Sequence, residues 1–131
     1  MASLILFAHG ARDPEWARPL ERLREAVLAR RPDLDVRLAF LEFMAPTLPE
    51  AIDAAVAAGA HEVDVAPVFL AQGGHVKRDL PAMLADAAAR HPAVKLAVHP
   101  SLGEAQSVVE ALAQAALAGL GASQDAVAGG R

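Results

Sequence analysis

The stretch Leu-Ile-Leu-Phe-Ala-His-Gly-Ala-Arg-Asp-Pro, residues 4–14, decides how this chain folds. Its first five residues form a continuous apolar run, which is typical of a strand buried on both faces. The run ends at His9-Gly10, and Asp13-Pro14 then supplies an N-cap and a first-turn proline for a helix. The stretch therefore predicts a strand, a short loop and a helix.

The same alternation repeats three more times along the chain. The predicted strands after the first cover Asp35 to Glu42, Val63 to Leu70 and Val94 to Val98. The first predicted helix ends near Arg31, and the second starts after Thr47. The third covers Lys77 to Arg90. The fourth covers Glu104 to Leu120, with Val108, Leu112 and Ala116 facing inward. Short connections between alternating elements favour parallel βαβ units. The sequence therefore predicts an α/β fold, a three-layer sandwich around a four-stranded parallel sheet.

Two local signals refine this prediction. Thr47 followed by Glu50 is the pattern of a capping box at the start of the second helix. Pro67 lacks the N–H that a ladder bond needs, so it is expected near the end of the third strand or at an irregularity in it.

The length of 131 residues suits one domain, which we expect over residues 1–120. Residues 121–131 are small, polar and without pattern, and predict a flexible tail. The chain has no cysteine, which excludes disulfides, thiolate metal sites and a cysteine nucleophile. A net charge of −4 does not support nucleic-acid binding, and no apolar run is long enough for a membrane span. We expect a soluble cytoplasmic protein.

The five histidines separate by their position relative to the predicted sheet. Ligands of open parallel sheets bind at the carboxyl ends of the strands. His9, His75 and His99 follow strands one, three and four, whereas His61 begins strand three and His91 ends a helix. In the usual doubly wound order strands one and three are neighbours, so His9 and His75 are expected to share one crevice.

Glycine adjoins both of these histidines, in His9-Gly10 and in Gly73-Gly74-His75. Glycine leaves room where a ligand or another backbone must come close. Neutral imidazoles bind Co²⁺, Fe²⁺, Ni²⁺ or Zn²⁺ and are also bases near neutral pH. Glu42, at the end of strand two, is the nearest candidate carboxylate, although a solvent-facing charge explains it equally well.

Three blocks of the sequence resemble a known family. They are His9-Gly10-Ala11-Arg12-Asp13-Pro14, the segment Ala-Phe-Leu-Glu at residues 39–42 with Pro46 beyond it, and Pro-Val-Phe-Leu-Ala-Gln-Gly-Gly-His-Val-Lys-Arg-Asp-Leu-Pro at residues 67–81. Together they are similar to the small CbiX-type sirohydrochlorin chelatases, relatives of the SirB-type ferrochelatases, over about residues 4 to 118. Ala11 stands where that family commonly has serine, a departure that concerns one hydroxyl hydrogen bond and neither histidine.

The resemblance implies insertion of Co²⁺ or Fe²⁺ into the tetrapyrrole sirohydrochlorin, with Ni²⁺ as a further candidate and no organic cofactor. Longer members of the family resemble two such lobes around one cleft, which implies a homodimer for a chain of one lobe. His9 and His75 are then expected to present the metal, with His9 as proton acceptor and Glu42 as acceptor or outer ligand.

A flat, polyanionic substrate calls for an apolar surface with a few polar points. The residues expected to lie against the ring are Leu70, Ala71, Gln72, Gly73 and Gly74, and Met44 is expected to cover a ring face. Phe43 could share that role or belong to the core. Arg12 and Lys77 are expected to pair with substrate carboxylates.

Other functions fit parts of the same pattern. A carrier of Co²⁺ or Ni²⁺ without catalysis would use the same residues, and only turnover separates it from a chelatase. A phosphotransfer enzyme using His9 would need an arginine directly before that histidine, where this chain has Ala8. A flavin-binding module would need a hydroxyl-rich loop after strand one, which is absent from this sequence.

Overall fold

The computed structural model describes the backbone of residues 1–130, with all side chains of this range except those of His75 and residues 121–130. The strands are β1 (Ala2–Ala8), β2 (Asp35–Phe40), β3 (Glu62–Pro67) and β4 (Lys95–Val98). The helices are α1 (Arg18–Arg30), α2 (Leu48–Ala57), α3 (Gly74–Arg90) and α4 (Gln106–Gly130). Two 3₁₀ turns, Pro14–Ala17 and Leu102–Glu104, precede α1 and α4.

The four strands form one parallel sheet in the order β2-β1-β3-β4. Helices α2 and α3 cover one face, where Ile52 and Leu80 pack with the fully buried Phe7 and Val65. Helix α1 covers the other face, with Leu23 among the residues packed there. The three-layer α/β prediction is confirmed, as is the adjacency of strands one and three.

Local capping signals were read correctly from the sequence. The Thr47 hydroxyl accepts from the Glu50 N–H, and the Glu50 carboxylate accepts from the Thr47 N–H at 2.8 Å. That backbone hydrogen bond lowers the pKa of the Glu50 carboxyl. Pro67 is the last residue of β3, as expected for a residue without an N–H.

Two helix starts differ from the prediction. Asp13 caps the first 3₁₀ turn, accepting from the Glu15 N–H at 3.0 Å, and α1 begins only at Arg18. Helix α3 begins at Gly74 with Gly73 as its N-cap, so His75 lies in the first helical turn and not in a loop. Glycine is an acceptable N-cap, and its use as one is hard to distinguish in sequence from a break.

The prediction that the last helix packs inward was wrong. Of the three residues predicted to face inward, Leu112 is 48% exposed, Ala116 is exposed and Val108 is half-buried. The main contact of α4 is with the second 3₁₀ turn. The periodicity of apolar residues identifies a helix face but not what covers it. The backbone of α4 continues to Gly130, beyond the predicted end at Leu120. The predicted flexible tail, residues 121–131, lies outside the residues described in full. Among the described residues no helix is long and apolar enough to cross a membrane.

Asp35 connects β2 to β1 at the amino-terminal edge of the sheet. Its Oδ2 accepts from the buried Ser3 hydroxyl at 2.6 Å and from Arg37 Nε at 2.8 Å. Burial raises the pKa of Asp35, but the hydrogen bonds from Ser3 and Arg37 outweigh it, and the net pKa lies below the ordinary value.

We therefore expect Asp35→Asn to lower the urea midpoint at pH 7. A carboxyl with a depressed folded-state pKa stabilises the fold above its unfolded pKa of about 3.9, and this contribution disappears as the pH falls through the folded-state pKa. The difference between wild type and variant should thus shrink toward zero by about pH 2. Urea titrations at pH 7 and about pH 2 measure this difference in midpoint. Equal midpoints at pH 7 would contradict a stabilising role of the Asp35 carboxylate.

Candidate metal-presenting site

His9 and Glu42 meet at the carboxyl-terminal edge of the sheet. His9 directly follows β1, and Glu42 lies two residues beyond β2. The backbone pairing continues past both strands, with the Leu41 N–H donating to the Ala8 carbonyl at 2.9 Å and the Glu42 N–H to the His9 carbonyl at 3.0 Å. This pairing holds the two side chains next to each other.

The imidazole and the carboxylate form a direct contact, with 2.8 Å between His9 Nε2 and Glu42 Oε1. Each side chain is 46% exposed, so the pair is open to solvent and to a ligand. When Nε2–H donates to the carboxylate, the lone pair of the neutral ring is on Nδ1. A carboxylate in this position orients a metal-binding histidine and makes its other nitrogen more basic. Glu42 is thus suited to positioning His9.

Gly10 makes this approach of the two loops possible. Its φ is +94°, and a Cβ built on it would lie 1.9 Å from the Glu42 carbonyl oxygen. The sequence predicted that glycine leaves room either for a ligand or for another backbone. At Gly10 the room is taken by the backbone of Glu42.

Gly73 and Gly74 differ from Gly10. Gly73 has an ordinary φ of −74°, and a Cβ on either residue would meet no atom of the described residues within 4 Å. No steric demand within the described part of the chain explains either glycine. The His75 backbone follows them in the first turn of α3, while its side chain is outside the described residues, so its role stays a prediction.

The apolar surface at this edge comes from Phe43 and Leu70, which are 55% and 69% exposed. Phe43 has a φ of +68°, and the Arg12 guanidinium lies 5.0 Å from the centre of its ring. Met44 is half-buried and packs with the cluster around Phe40. The sequence predicted that Met44 covers a ring face, and it left the role of Phe43 open between ring and core. The exposure of Phe43 could not be predicted, because a positive φ at phenylalanine has no sequence signal.

The remaining candidates lie on the β4 side of the edge. Ala71, Gln72 and Lys77 line a small pocket of about 240 Å³ together with the loop after β4. His99 follows β4 and contacts Asp64 at 3.1 Å between Nε2 and Oδ1.

His61 and His91, which the sequence does not place at the carboxyl end of a strand, lie away from this edge. His61 is exposed immediately before β3. His91 follows α3 and contacts Asp53 at 2.7 Å, a hydrogen bond that lowers the pKa of Asp53. Within the described side chains no group of three or more histidines and carboxylates could hold a metal ion. His9 with Glu42 is a solvent-open pair, and its role in metal binding stays a prediction.

Residues 3–118 match the family model of CbiX. This chain belongs to the CbiX family. Sirohydrochlorin cobaltochelatase from Methanocaldococcus jannaschii is 40% identical over 84 residues, which are 64% of this CbiX-family chain and 59% of the relative. The chain thus spans about three fifths of that relative's length.

Solved structures agree with the family assignment. The CbiX protein from Marinobacter aquaeolei VT8 has a TM-score of 0.80 at 28% identity, covering 92% of this chain and 98% of the other. The sirohydrochlorin chelatase SirB from Bacillus subtilis subspecies spizizenii, in complex with cobalt, has a TM-score of 0.75 at 26% identity. That match covers 86% of this chain but 48% of SirB, so about half of the SirB chain lies beyond it.

Proposed function

We propose that this CbiX-family chain inserts a divalent metal, Co²⁺ or Fe²⁺, into sirohydrochlorin. The observation that carries the proposal is the contact between His9 Nε2 and Glu42 Oε1 at the carboxyl-terminal edge of the parallel sheet. Relatives named for this activity support the substrate. Both the metal and the tetrapyrrole are substrates, and no organic cofactor is needed.

The reaction balances as one M²⁺ entering the macrocycle while two pyrrole N–H protons leave. A histidine that has released the metal has a free lone pair and can accept one of those protons. In this chain the atom that accepts the first proton is His9 Nδ1, and Glu42 stabilises the imidazolium that forms. The second proton passes to solvent water, to which the half-exposed pair is open. His75, in the first turn of α3, is the proposed second metal-presenting group.

An open site suits turnover. The donors are nitrogen and oxygen without a thiolate, and His9 and Glu42 are each nearly half exposed. Such a set binds a first-row metal less firmly than a closed thiolate cage does. The metal can therefore pass to the four ring nitrogens, with the ring resting on Phe43 and Leu70 and one of its carboxylates facing Arg12.

Turnover distinguishes the chelatase from a Co²⁺ or Ni²⁺ carrier. Purified protein is mixed with sirohydrochlorin and Co²⁺, and the visible spectrum is compared with a sample lacking protein. We expect a faster conversion to the metallated spectrum and many turnovers per chain. Stoichiometric binding of Co²⁺ at an unchanged insertion rate would favour the carrier. Competition among Co²⁺, Fe²⁺ and Ni²⁺ in the same assay gives the metal preference.

Glu42→Gln tests the positioning role. The amide keeps the size of the side chain but loses the charge that orients and activates His9, and loss of such a partner typically costs about 10–100-fold in activity or metal affinity. We expect a drop of this order in the insertion rate, with an unchanged melting temperature. Glu50→Gln, a loss of the same charge at the start of α2, is the control. A Glu42→Gln enzyme as fast as wild type would remove Glu42 from the mechanism.

We further propose that the partner of this chain is a second copy, joined through α4. The apolar residues Val109, Leu112, Leu117 and Leu120 are all exposed in the single chain. A helix without tertiary packing is only marginally stable in water, so this face needs a cover. A groove of about 210 Å³ connects Leu112 with Leu70, and the face therefore continues to the candidate site.

The partial match with SirB supports pairing of this chain with a second copy. One SirB chain contains about as many residues outside the match as inside it. A chain of one lobe can reach a comparable size by pairing with itself, and two-fold pairing is the commonest symmetry of soluble oligomers.

Leu117→Glu tests this interface by light scattering after size exclusion. A two-fold interface carries the substitution twice, so losing two buried leucines should weaken the dimer at least about 100-fold. Leu117 is exposed in the single chain, and its replacement should leave the fold intact. Gln114→Glu, a charge of the same sign on the polar side of α4, is the control. A wild-type monomer, or a Leu117→Glu dimer as tight as wild type, would contradict the proposal.

A further inference from the structure

A small pocket opens beside the candidate site, between the loop after β3 and the loop after β4. Its volume is about 240 Å³, and its lining consists of Ala71, Gln72, Lys77, Pro100, Ser101 and Glu104. Ala71 and Gln72 belong to the segment expected to lie along the edge of the macrocycle. A group attached to the periphery of the ring would therefore be directed into this pocket.

Ser101 is the unusual residue of this lining. It is 3% exposed, and its hydroxyl is buried without a hydrogen-bond partner among the described residues. Ser101 also precedes the second 3₁₀ turn as its N-cap, yet its side chain makes no capping bond. A buried hydroxyl without a partner costs stability. Neither packing nor capping explains a serine there, whereas a ligand that hydrogen-bonds to it does. A single rotation about the Cα–Cβ bond redirects the hydroxyl.

The electrostatics of the pocket favour an anion on one side. Lys77 is exposed, and its ammonium has no ion-pair partner among the described side chains. Lys77 lies in the first turns of α3, whose first turn contains no acidic residue and whose N-cap, Gly73, offers no side-chain bond. The N–H groups and the dipole at this helix end therefore remain available to a negative charge. Glu104 is exposed and is the one carboxylate among the described residues of the lining.

We propose that this pocket binds one peripheral carboxylate of the tetrapyrrole, which accepts hydrogen bonds from the Ser101 hydroxyl and the Lys77 ammonium. The inference rests on the proposed function, because that function supplies the substrate. The carboxylate fixes the rotation of the ring about its own axis and thereby sets which pyrrole nitrogens face His9. Ser101 and Lys77 are binding groups, and neither exchanges protons with the ring.

Binding and rate are measured separately. Fluorescence titration without metal gives the dissociation constant for sirohydrochlorin. Ser101→Ala and Lys77→Gln are expected to raise it about 10-fold each, the effect of one hydrogen bond to a charged group. Glu104→Gln is expected to lower it, because a repulsive charge is removed. In turnover, Ser101→Ala should raise KM for sirohydrochlorin by about the same factor as the dissociation constant.

Thermal unfolding separates ligand binding from a structural role of Ser101. Removing a hydroxyl that has no partner should leave the melting temperature unchanged or raise it. A lower melting temperature together with unchanged sirohydrochlorin binding would mean that the hydroxyl serves the fold, and would overturn the proposal. If Lys77→Gln tightened the complex with sirohydrochlorin and Glu104→Gln weakened it, the pocket would bind a cation. This result would also overturn the proposal.

Propionate alone tests the pocket without the macrocycle. In amide NMR spectra of the full chain, millimolar propionate is expected to shift the signals of Ser101 and Lys77 in the wild type, and not in Ser101→Ala. If sirohydrochlorin does not bind but propionate produces these shifts, the proposed function fails and the carboxylate site stands. If propionate produces no shift and Ser101→Ala binds sirohydrochlorin as wild type does, the site is absent.

Discussion

Replacement of His9 by alanine is expected to lower the rate of metal insertion at least about 100-fold. In the proposed function the imidazole both presents the metal and accepts a pyrrole proton, and loss of a positioned base alone typically costs about 10²–10⁴-fold. Glu42 cannot compensate, because it contacts the opposite ring nitrogen and its position depends on the loop backbone. The initial rate of the spectral change with Co²⁺ and sirohydrochlorin measures the effect.

The fold should tolerate this substitution. The His9 side chain is 46% exposed, and changes at such positions usually alter the free energy of unfolding by about 0.5 kcal/mol or less. His61→Ala is the matched control, since His61 is an exposed histidine at the opposite end of the sheet. If His9→Ala and His61→Ala retain the same rate, metal presentation belongs to other residues.

Gly10→Ala is expected to destabilise the chain by at least about 2 kcal/mol. A left-handed backbone costs a residue with a Cβ about 1–2 kcal/mol, and the overlap with the Glu42 carbonyl adds to this. The loop after β2 must then shift, which separates Glu42 from His9. Urea unfolding gives the loss of stability, and the insertion rate should fall with it.

Gly73→Ala provides the contrast at a glycine with an ordinary φ and open space around its missing Cβ. Its free energy of unfolding should stay within about 0.5 kcal/mol of wild type. If the backbone at residue 73 lies against the macrocycle, KM for sirohydrochlorin rises despite the intact fold. A Gly10→Ala chain as stable as wild type would contradict the close approach of the two loops.

The sequence predicted those parts of the fold that depend on neighbouring residues. The capping box of Thr47 and Glu50 follows from hydrogen bonds within three residues, and the position of Pro67 at a strand end follows from the missing N–H of that residue itself. The strand and helix alternation likewise follows from local periodicity. The start of α3 was missed by three residues, because Gly73 reads equally well as a break and as an N-cap.

The candidate site was predicted in its elements and not in its geometry. His9 was identified from its place after a buried strand, and Glu42 only as a candidate beside it. Their contact joins residues 33 positions apart and depends on the parallel register of β1 and β2. Phe43 was left open between a ring-covering role and a core role, and Ser101 was not singled out, since neither an exposed phenylalanine nor an unpartnered buried hydroxyl has a sequence signal.

By itself, the sequence determined the order of strands and helices, the glycines next to His9 and His75, and the absence of thiolate ligands. Only the tertiary structure decided that Glu42 contacts His9 and that the apolar face of α4 has no cover among the described residues. The physical reason is range: turns, caps and periodicity act over a few residues, whereas register and burial result from packing between distant segments.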